Sequence, residues 1–141
     1  MKKTSIEYLN KLPTIVEKMV EEGHAKDEKK SGTPCHYKKF ALVSKNDEGK
    51  VFGVLSAYTA YAEVYVDDIW VHPDYRKQGN GKRLLLALEE RFEGKGFNNI
   101  NLVTSAFQAP DFYKKCGFQL EFVRENKENP KLTKFFFVKF F

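Results

Sequence analysis

The stretch that decides the fold is IWVHPDYRKQGNGKRLLLALEERF, residues 69–92. The apolar run Ile69-Trp70-Val71 is typical of a strand, and His72-Pro73 breaks it. After the turn at residues 76–81, leucines at helical spacing predict an amphipathic helix that begins near Gly81 and ends at about Glu93. The sequence therefore predicts a strand, a basic turn and a helix in direct succession.

This turn is predicted to bind an anion. The first N–H groups of a helix have no partner inside the helix, and the helix dipole places partial positive charge at the same end. Gly79 and Gly81 leave the backbone open to close approach, because neither carries a side chain. A phosphate or pyrophosphate fits such a site. The basic side chains around it are Arg76, Lys77, Lys82 and Arg83.

The spacing of the glycines limits which phosphate-containing ligand is expected. It matches neither the Gly-x-x-x-x-Gly-Lys-Ser/Thr of nucleoside triphosphate loops nor the Gly-x-Gly-x-x-Gly of dinucleotide domains. Arg-x-x-Gly-x-Gly at residues 76–81, between VDDIWVHPDY and KRLLLALEERFEGKGF, resembles the acyl-CoA pyrophosphate loop of the GNAT superfamily of N-acetyltransferases. The resemblance implies acetyl-CoA as acyl donor. The cofactor-binding residues it implies are Ile69, Trp70, Val71, Arg76, Lys77, Gln78, Gly79, Asn80, Gly81, Lys82 and Gln108.

A second segment downstream resembles the same family. Pro110 and Gly117 predict a short helix over residues 108–116, and Ala109-x-x-Phe112-Tyr113-x-x-x-Gly117-Phe118 is similar to the GNAT segment with the tyrosine beside the thioester sulfur. The resemblance implies that Tyr113 is the general acid for the departing thiolate. Many relatives have asparagine ahead of this helix, where the present sequence has Ser105 and Gln108.

Acyl transfer to an amine also needs a base, because an amine attacks only when it is neutral. The candidates are Asp67, Asp68 and Glu63, all on the strand that would border the thioester, and Asp68 is favoured. On a regular strand two adjacent acids point to opposite faces, so simple alternation does not leave one face apolar. A β-bulge at this position would remove the conflict. A strand amide near residues 69–71, freed by the bulge, would serve as oxyanion donor.

Apolar and aromatic runs place the strands at residues 40–44, 51–58, 63–71, 99–104, 118–124 and 133–141, with a hairpin turn at 46–49. The resemblance implies an α/β (α+β) fold with a mixed, mostly antiparallel central sheet of about six to seven strands flanked by helices. It also implies that strands 63–71 and 101–104 splay apart to admit the pantetheine arm. The phenylalanine-rich tail is predicted to serve as core or as a dimer contact.

The N-terminal region is predicted to be helical in two parts over residues 4–23. Thr4-x-x-Glu7 and Thr14-x-x-Glu17 fit capping boxes, and Pro13 interrupts between them. An apolar stripe is predicted to face the core, while residues 24–38 are predicted to be a loop, which in GNAT proteins often shapes the acceptor pocket. The stripe consists of Ile15, Val16, Met19 and Val20.

Composition limits the class of protein. A chain of 141 residues with 42% apolar and 30% charged residues predicts one domain over residues 1–141. The net charge of +5 is spread along the chain and does not form the basic stripe that is typical of a nucleic-acid binder. No apolar run is long enough to span a membrane, and none resembles the apolar segment of a signal peptide. We expect a cytoplasmic protein. Its two cysteines and three histidines lack disulfide-framework or metal-ligand spacing, so no metal site is predicted.

Three functions of different classes follow. The favoured one is an acetyl-CoA-dependent N-acetyltransferase that acts on a primary amine of a small molecule or peptide in a ternary complex. The second is a non-catalytic acyl-CoA-binding or regulatory module. The third is a nucleic-acid binder that uses the basic turn. The identity of the amine and a homodimer are left open.

Overall fold

The structure is a computed structural model that describes residues 3–141. The chain divides into two compact units, Met1–Cys35 and His36–Phe141. In the first unit, the described residues form one helix, α1 (Thr14–Ser31). The second unit contains α2 (Asn80–Phe92), α3 (Pro110–Lys115) and the strands β1 (Lys38–Lys45), β2 (Val51–Ala60), β3 (Glu63–Val71), β4 (Asn99–Ser105), β5 (Gln119–Arg124) and β6 (Lys134–Phe140).

The six strands form one sheet in the order β1-β2-β3-β4-β6-β5. Only β3 and β4 pair in parallel, and every other neighbouring pair is antiparallel. This confirms the predicted mixed, mostly antiparallel sheet. The predicted strand positions agree with the observed ones within a few residues, because alternating burial on a half-buried sheet leaves a clear pattern in sequence.

The two parallel strands separate after a short paired segment. Their ladder consists of three pairs, Glu63↔Asn99, Val64↔Ile100 and Tyr65↔Asn101. Beyond Tyr65 the two strands diverge, while β3 stays paired to β2 as far as Val71. The predicted splay of this strand pair is therefore present.

A bulge lies at the two acids of β3. Ser56 on β2 faces Asp68, but the next residue, Ala57, faces Val66, so Asp67 is an extra residue in the ladder. Both aspartates are exposed, although the flanking Val66 is buried. The bulge predicted from the adjacent acids is confirmed.

The hydrophobic core of the second unit joins one sheet face to α2 and α3. From α2, Leu84, Leu85 and Leu88 are buried, and from α3 Tyr113 is buried. The sheet contributes aliphatic and aromatic side chains to the same cluster. Phe137 of the C-terminal strand is fully buried, so part of the phenylalanine-rich tail is core as predicted.

The N-terminal prediction is wrong in its boundaries. Residues 3–13 form no helix, and α1 begins at Thr14 and continues to Ser31. Pro13 is the N-cap, and its carbonyl oxygen accepts hydrogen bonds from the N–H groups of Val16 and Glu17 at 3.0 and 3.1 Å. Thr14 is therefore the first helical residue and not a cap. The helix extends through part of the predicted loop because residues 25–30 are good helix formers, and it ends at Gly32, which has φ 72.

The apolar stripe of α1 does not form core. Ile15, Met19 and Val20 are exposed, Val16 is half-buried, and no residue of α1 is buried. Apolar side chains at helical spacing show that a helix has an apolar side, but the spacing does not specify what that side contacts.

The helix before Gly117 is shorter than predicted. Residues Ala106–Gln108 form a 3-10 turn, and α3 begins only at Pro110. Ala109 between them has φ 87, a left-handed conformation that interrupts the hydrogen-bond ladder. Pro110 in the first turn and Gly117 after the last turn, with φ 89, occupy the predicted places.

No helix within residues 3–141 is long and apolar enough to cross a membrane. The same residues contain no group of three or more histidine, cysteine, aspartate or glutamate side chains placed to hold a metal ion. Cys35 and Cys116 are free thiols.

Candidate active site

A cleft of about 650 Å³ opens where β3 and β4 separate. One wall is residues 66–71 of β3, including both aspartates of the bulge. The opposite wall is Leu102–Thr104 of β4 together with Phe107 and Tyr113. We call this the strand cleft. It exists because the β3–β4 ladder stops at Tyr65, which leaves the facing edges of both strands accessible.

A second cleft, of about 740 Å³, lies at the beginning of α2. We call it the loop cleft, and its walls are the basic turn and one side of α3. The two clefts adjoin, since six residues line both. The shared residues are Ile69, Val71, Arg76, Gln108, Ala109 and Tyr113.

Side chains of the turn form hydrogen bonds with its own backbone. Arg76 Nε donates to the carbonyl oxygen of Val71 at 2.8 Å, and Asn80 Nδ2 donates to that of Tyr75 at 2.8 Å. Lys77 has φ 60 and Gly79 has φ 81, so two residues of the turn adopt the left-handed conformation before the helix. These bonds fix the direction in which α2 begins.

The N-terminus of α2 is open. Its N-cap is Gly79, and no side chain caps the helix by a hydrogen bond. The first N–H groups of α2 therefore have no intrahelical partner, which is the arrangement that binds anions. Gly81 is needed for a second reason, because a Cβ at this position would lie 3.0 Å from Cζ of Phe112. The absence of a side chain thus lets α3 approach the N-terminus of α2.

Tyr113 stands at the junction of the two clefts. Its ring is buried, with 8% of the side chain exposed, and it packs against Phe112, Phe118 and Phe137. Its hydroxyl bonds to no group among residues 3–141 and is reached by solvent at the cleft wall. Burial raises the pKa of Tyr113 to about 12, and the negative charge of Asp68 adds to the effect. The group therefore stays protonated at neutral pH and can donate a hydrogen bond.

Of the three candidate bases, two lie in the strand cleft. Asp67 and Asp68 both line it, and the charge of Asp68 acts on Tyr113. Glu63 does not line either cleft. It lies at the start of β3, where its carboxylate accepts hydrogen bonds from the hydroxyl of Tyr65 and from Asn99 Nδ2.

The predicted cofactor-binding residues separate into groups. Trp70 lines only the strand cleft, whereas the residues of the turn and of the first turn of α2 line the loop cleft. Gln78 lines neither, because its side chain donates to the carbonyl oxygen of Asp74 at 3.1 Å. Gln108 lines both, with its Oε1 accepting from the N–H of Ser105 at 2.9 Å.

Sequence reasoning missed several wall residues. Phe107 in the strand cleft, and Lys115 and Cys116 in the loop cleft, were not among the predicted site residues. Burial raises the pKa of the Cys116 thiol, although Lys82 and Lys139 act in the opposite direction. The position of Phe107, two residues after the end of a strand that borders the predicted slot, was a usable signal for it.

The comparisons with known proteins agree with this geometry. The model of the acetyltransferase (GNAT) family matches residues 9–118. The chain belongs to the GNAT acetyltransferase family. The family assignment inferred from the turn and the tyrosine segment is confirmed, and with it, at the level of the family, an acyltransferase that uses acetyl-CoA.

Individual GNAT relatives show how far the similarity extends. The chain is 32% identical over 82 residues to blasticidin-S acetyltransferase of Streptomyces morookaense, a match that spans 57% of this chain and 60% of that protein. It therefore spans less than two thirds of that relative's length.

Solved structures match over a longer stretch. An acetyltransferase of Bacillus cereus ATCC 14579 is 27% identical, covers 96% of this chain and 98% of its own, and has a TM-score of 0.76. A protein of Bacillus anthracis str. Ames, described as a candidate streptothricin acetyltransferase and solved in complex with acetyl coenzyme A, is 21% identical. It covers 73% of this chain and 62% of its own with a TM-score of 0.64, which shows a shared fold.

Proposed function

We propose that the protein is an N-acetyltransferase that transfers the acetyl group of acetyl-CoA directly to a primary amine of a small molecule or peptide. The observation that supports this best is the position of Tyr113. It is a protonated donor at the junction between an open helix N-terminus and a cleft with two carboxylates. Family membership supports the acyl donor.

The residues present fit acetyl-CoA. The open start of α2 and its basic rim suit the pyrophosphate, and the separated strands offer backbone edges to an extended, amide-containing arm. In this proposal Lys77, Gly79, Asn80, Gly81 and Lys82 hold the phosphates. The edge of β3 at residues 69–71 holds the arm. Acetyl-CoA supplies the activated acetyl group as a thioester.

Two proton movements are assigned to side chains of this chain. Asp68 receives the proton of the incoming ammonium group, directly or through water, so that the amine is neutral when it attacks. Tyr113 donates a proton or hydrogen bond from its hydroxyl to the leaving sulfur. The influence of Asp68 on Tyr113 supports placing base and acid in one site. An N–H of β3 at residues 69–71 is the proposed donor to the carbonyl oxygen.

Binding of the donor can be tested with a charge reversal. Lys82 lies in the first turn of α2 and lines the loop cleft, so Lys82→Glu replaces attraction of a phosphate by repulsion. The change does not weaken the helix, because an acid near a helix N-terminus is favourable. Lys95→Glu makes the same charge change at an exposed site beyond the other end of α2.

We expect acetyl-CoA at 100 times its Kd to stabilise the wild type by about 2.7 kcal/mol in thermal unfolding. Lys82→Glu should raise the Kd for acetyl-CoA by about tenfold or more, whereas Lys95→Glu should leave it unchanged. In a separate assay, the wild type should release CoA when it is mixed with acetyl-CoA and a panel of amines. Stabilisation that is equal in all three proteins would remove the loop cleft as the donor site. Donor binding without CoA release from any amine would favour the alternative, a non-catalytic acyl-CoA-binding module.

Location and assembly are proposed with the activity. A cytoplasmic location is supported by the two free thiols, which are usual in a reducing compartment. A homodimer is supported by β5, an outer strand of the sheet with exposed Leu120, Phe122 and Val123. Cell fractionation and analytical ultracentrifugation test the two proposals, and a monomer at all concentrations would exclude the dimer.

A further inference from the structure

We propose that the acceptor is an amine that carries a second cationic group, held by Asp67 and the exposed ring of Trp70 while the first amine reacts beside Asp68. This inference rests on the proposed acetyl transfer and names the class of its acceptor: short diamines and other dications rather than simple monoamines.

The strand cleft carries more negative charge than proton transfer needs. The reaction needs one base, yet the strand cleft contains the carboxylates of two neighbouring residues, Asp67 and Asp68. The only cationic residue among its wall residues is Arg76, whose Nε donates to Val71 and which also lines the loop cleft. At the acceptor end, one negative charge therefore remains without a role in proton transfer. A second cation on the acceptor supplies the missing opposite charge.

The bulge is the reason that both carboxylates are available. On a regular strand, adjacent side chains point to opposite faces. Here Asp67 is the extra residue of the bulge, and both aspartates are exposed at the cleft. Because the two residues are adjacent in the chain, with Cα atoms about 3.8 Å apart, an acceptor whose two cations are separated by a few bonds can reach both carboxylates.

The strand cleft also has an aromatic surface. Trp70 is 47% exposed and Phe107 is 63% exposed, and both line the strand cleft. An exposed aromatic face next to a carboxylate binds an ammonium or guanidinium group by combined cation–π and charge attraction. A neutral aliphatic acceptor would use the rings but leave the second carboxylate without a partner.

A third observation concerns the hydroxyl of Tyr113, which lies at the cleft wall. Tyr113 is only 8% exposed, and its hydroxyl bonds to no group among residues 3–141, but solvent reaches it, because no fully buried polar side-chain atom in this range lacks a partner. The hydroxyl is therefore free to bond to a substrate in the cleft. The unpartnered donor marks the reacting end of the cleft, and Asp67 marks a point beside it.

The test compares n-butylamine with diaminobutane as acceptors for the full chain with saturating acetyl-CoA. We expect kcat/KM to be about tenfold higher for the diamine, after the twofold statistical factor for two equivalent amines is removed. The advantage should appear in KM and should shrink as salt is raised, because exposed charge pairs are screened. Equal values for the two amines would overturn the inference.

Variants assign the effect to the named side chains. Asp67→Asn should lower the diamine-to-monoamine ratio of kcat/KM by about fivefold, mainly through KM, and Trp70→Leu should lower it by about threefold. Asp47→Asn, the same change at an exposed position in the β1–β2 turn, should leave the ratio unchanged. A diamine preference that survives Asp67→Asn would overturn the assignment to this residue.

A binding measurement separates this inference from the proposed function. If neither amine is acetylated, the proposed activity fails, but stabilisation of the CoA-bound protein by each amine can still be compared in thermal unfolding. Diaminobutane should then raise the Tm more than n-butylamine at equal concentration. Equal shifts would refute the second cation site whatever the fate of the activity.

Discussion

Replacing Gly79 by alanine tests whether the turn before α2 depends on backbone conformation. Gly79 has φ 81 and ψ 10, in the left-handed region. A Cβ there would have no heavy atom closer than 3.9 Å, on Arg83, so crowding is not a cause of any loss. The left-handed conformation costs an ordinary residue about 1–2 kcal/mol. Alanine recovers about 0.4–1 kcal/mol because its unfolded chain has less freedom than that of glycine.

The net expectation for Gly79→Ala is a loss of about 1 kcal/mol in the free energy of unfolding, or about 3 °C in Tm for a chain of this size. Gly79→Asn is the matched control, because asparagine tolerates the left-handed region better than alanine does. We expect the free energy of unfolding to decrease from the wild type to Gly79→Asn and then to Gly79→Ala. The affinity for acetyl-CoA should follow the same order, since the turn sets the direction of the open helix N-terminus.

The assay is urea and thermal unfolding of the full chain, followed by titration with acetyl-CoA. A Gly79→Ala variant as stable as the wild type would contradict the argument. An asparagine variant that loses as much as the alanine variant would also contradict it, because the loss would then come from the added side chain and not from the backbone angle.

Two further changes test the acid and the core. Tyr113→Phe keeps the ring but removes the hydroxyl, so kcat should fall by about 10²-fold or more while acetyl-CoA still binds, and an unchanged kcat would exclude general acid catalysis by Tyr113. Because the pKa of Tyr113 is raised from 10 to about 12, the folded chain holds the hydroxyl proton more tightly than the unfolded chain does. The free energy of unfolding of the wild type should therefore decline as pH rises from about 10 to 12, and the variant should lack this part of the decline. Leu88→Ala should cost about 2–5 kcal/mol in urea unfolding, because Leu88 is 0% exposed. Leu86→Ala on the same helix, where the side chain is 43% exposed, should cost far less, and equal losses would contradict the description of the core.

Local patterns were sufficient for much of the fold. The strands, the turn before α2 and the bulge at Asp67 and Asp68 follow from alternation, glycine placement and two adjacent acids, which are short-range signals. The N-terminal helix was misplaced because two capping boxes and a proline have more than one consistent interpretation. Pro13 proved to be the N-cap of a helix rather than an interruption within one.

The sequence by itself determined that a strand, a basic turn and a helix follow one another, and that a tyrosine segment comes later in the chain. Only the tertiary structure decided which side chains meet. The stop of the β3–β4 ladder at Tyr65, the contact that a Cβ on Gly81 would make with Phe112, and the junction of two clefts at Tyr113 all join residues distant in sequence. Such contacts depend on how the strands pair and where the helices pack, and these interactions leave no periodic signal in the chain.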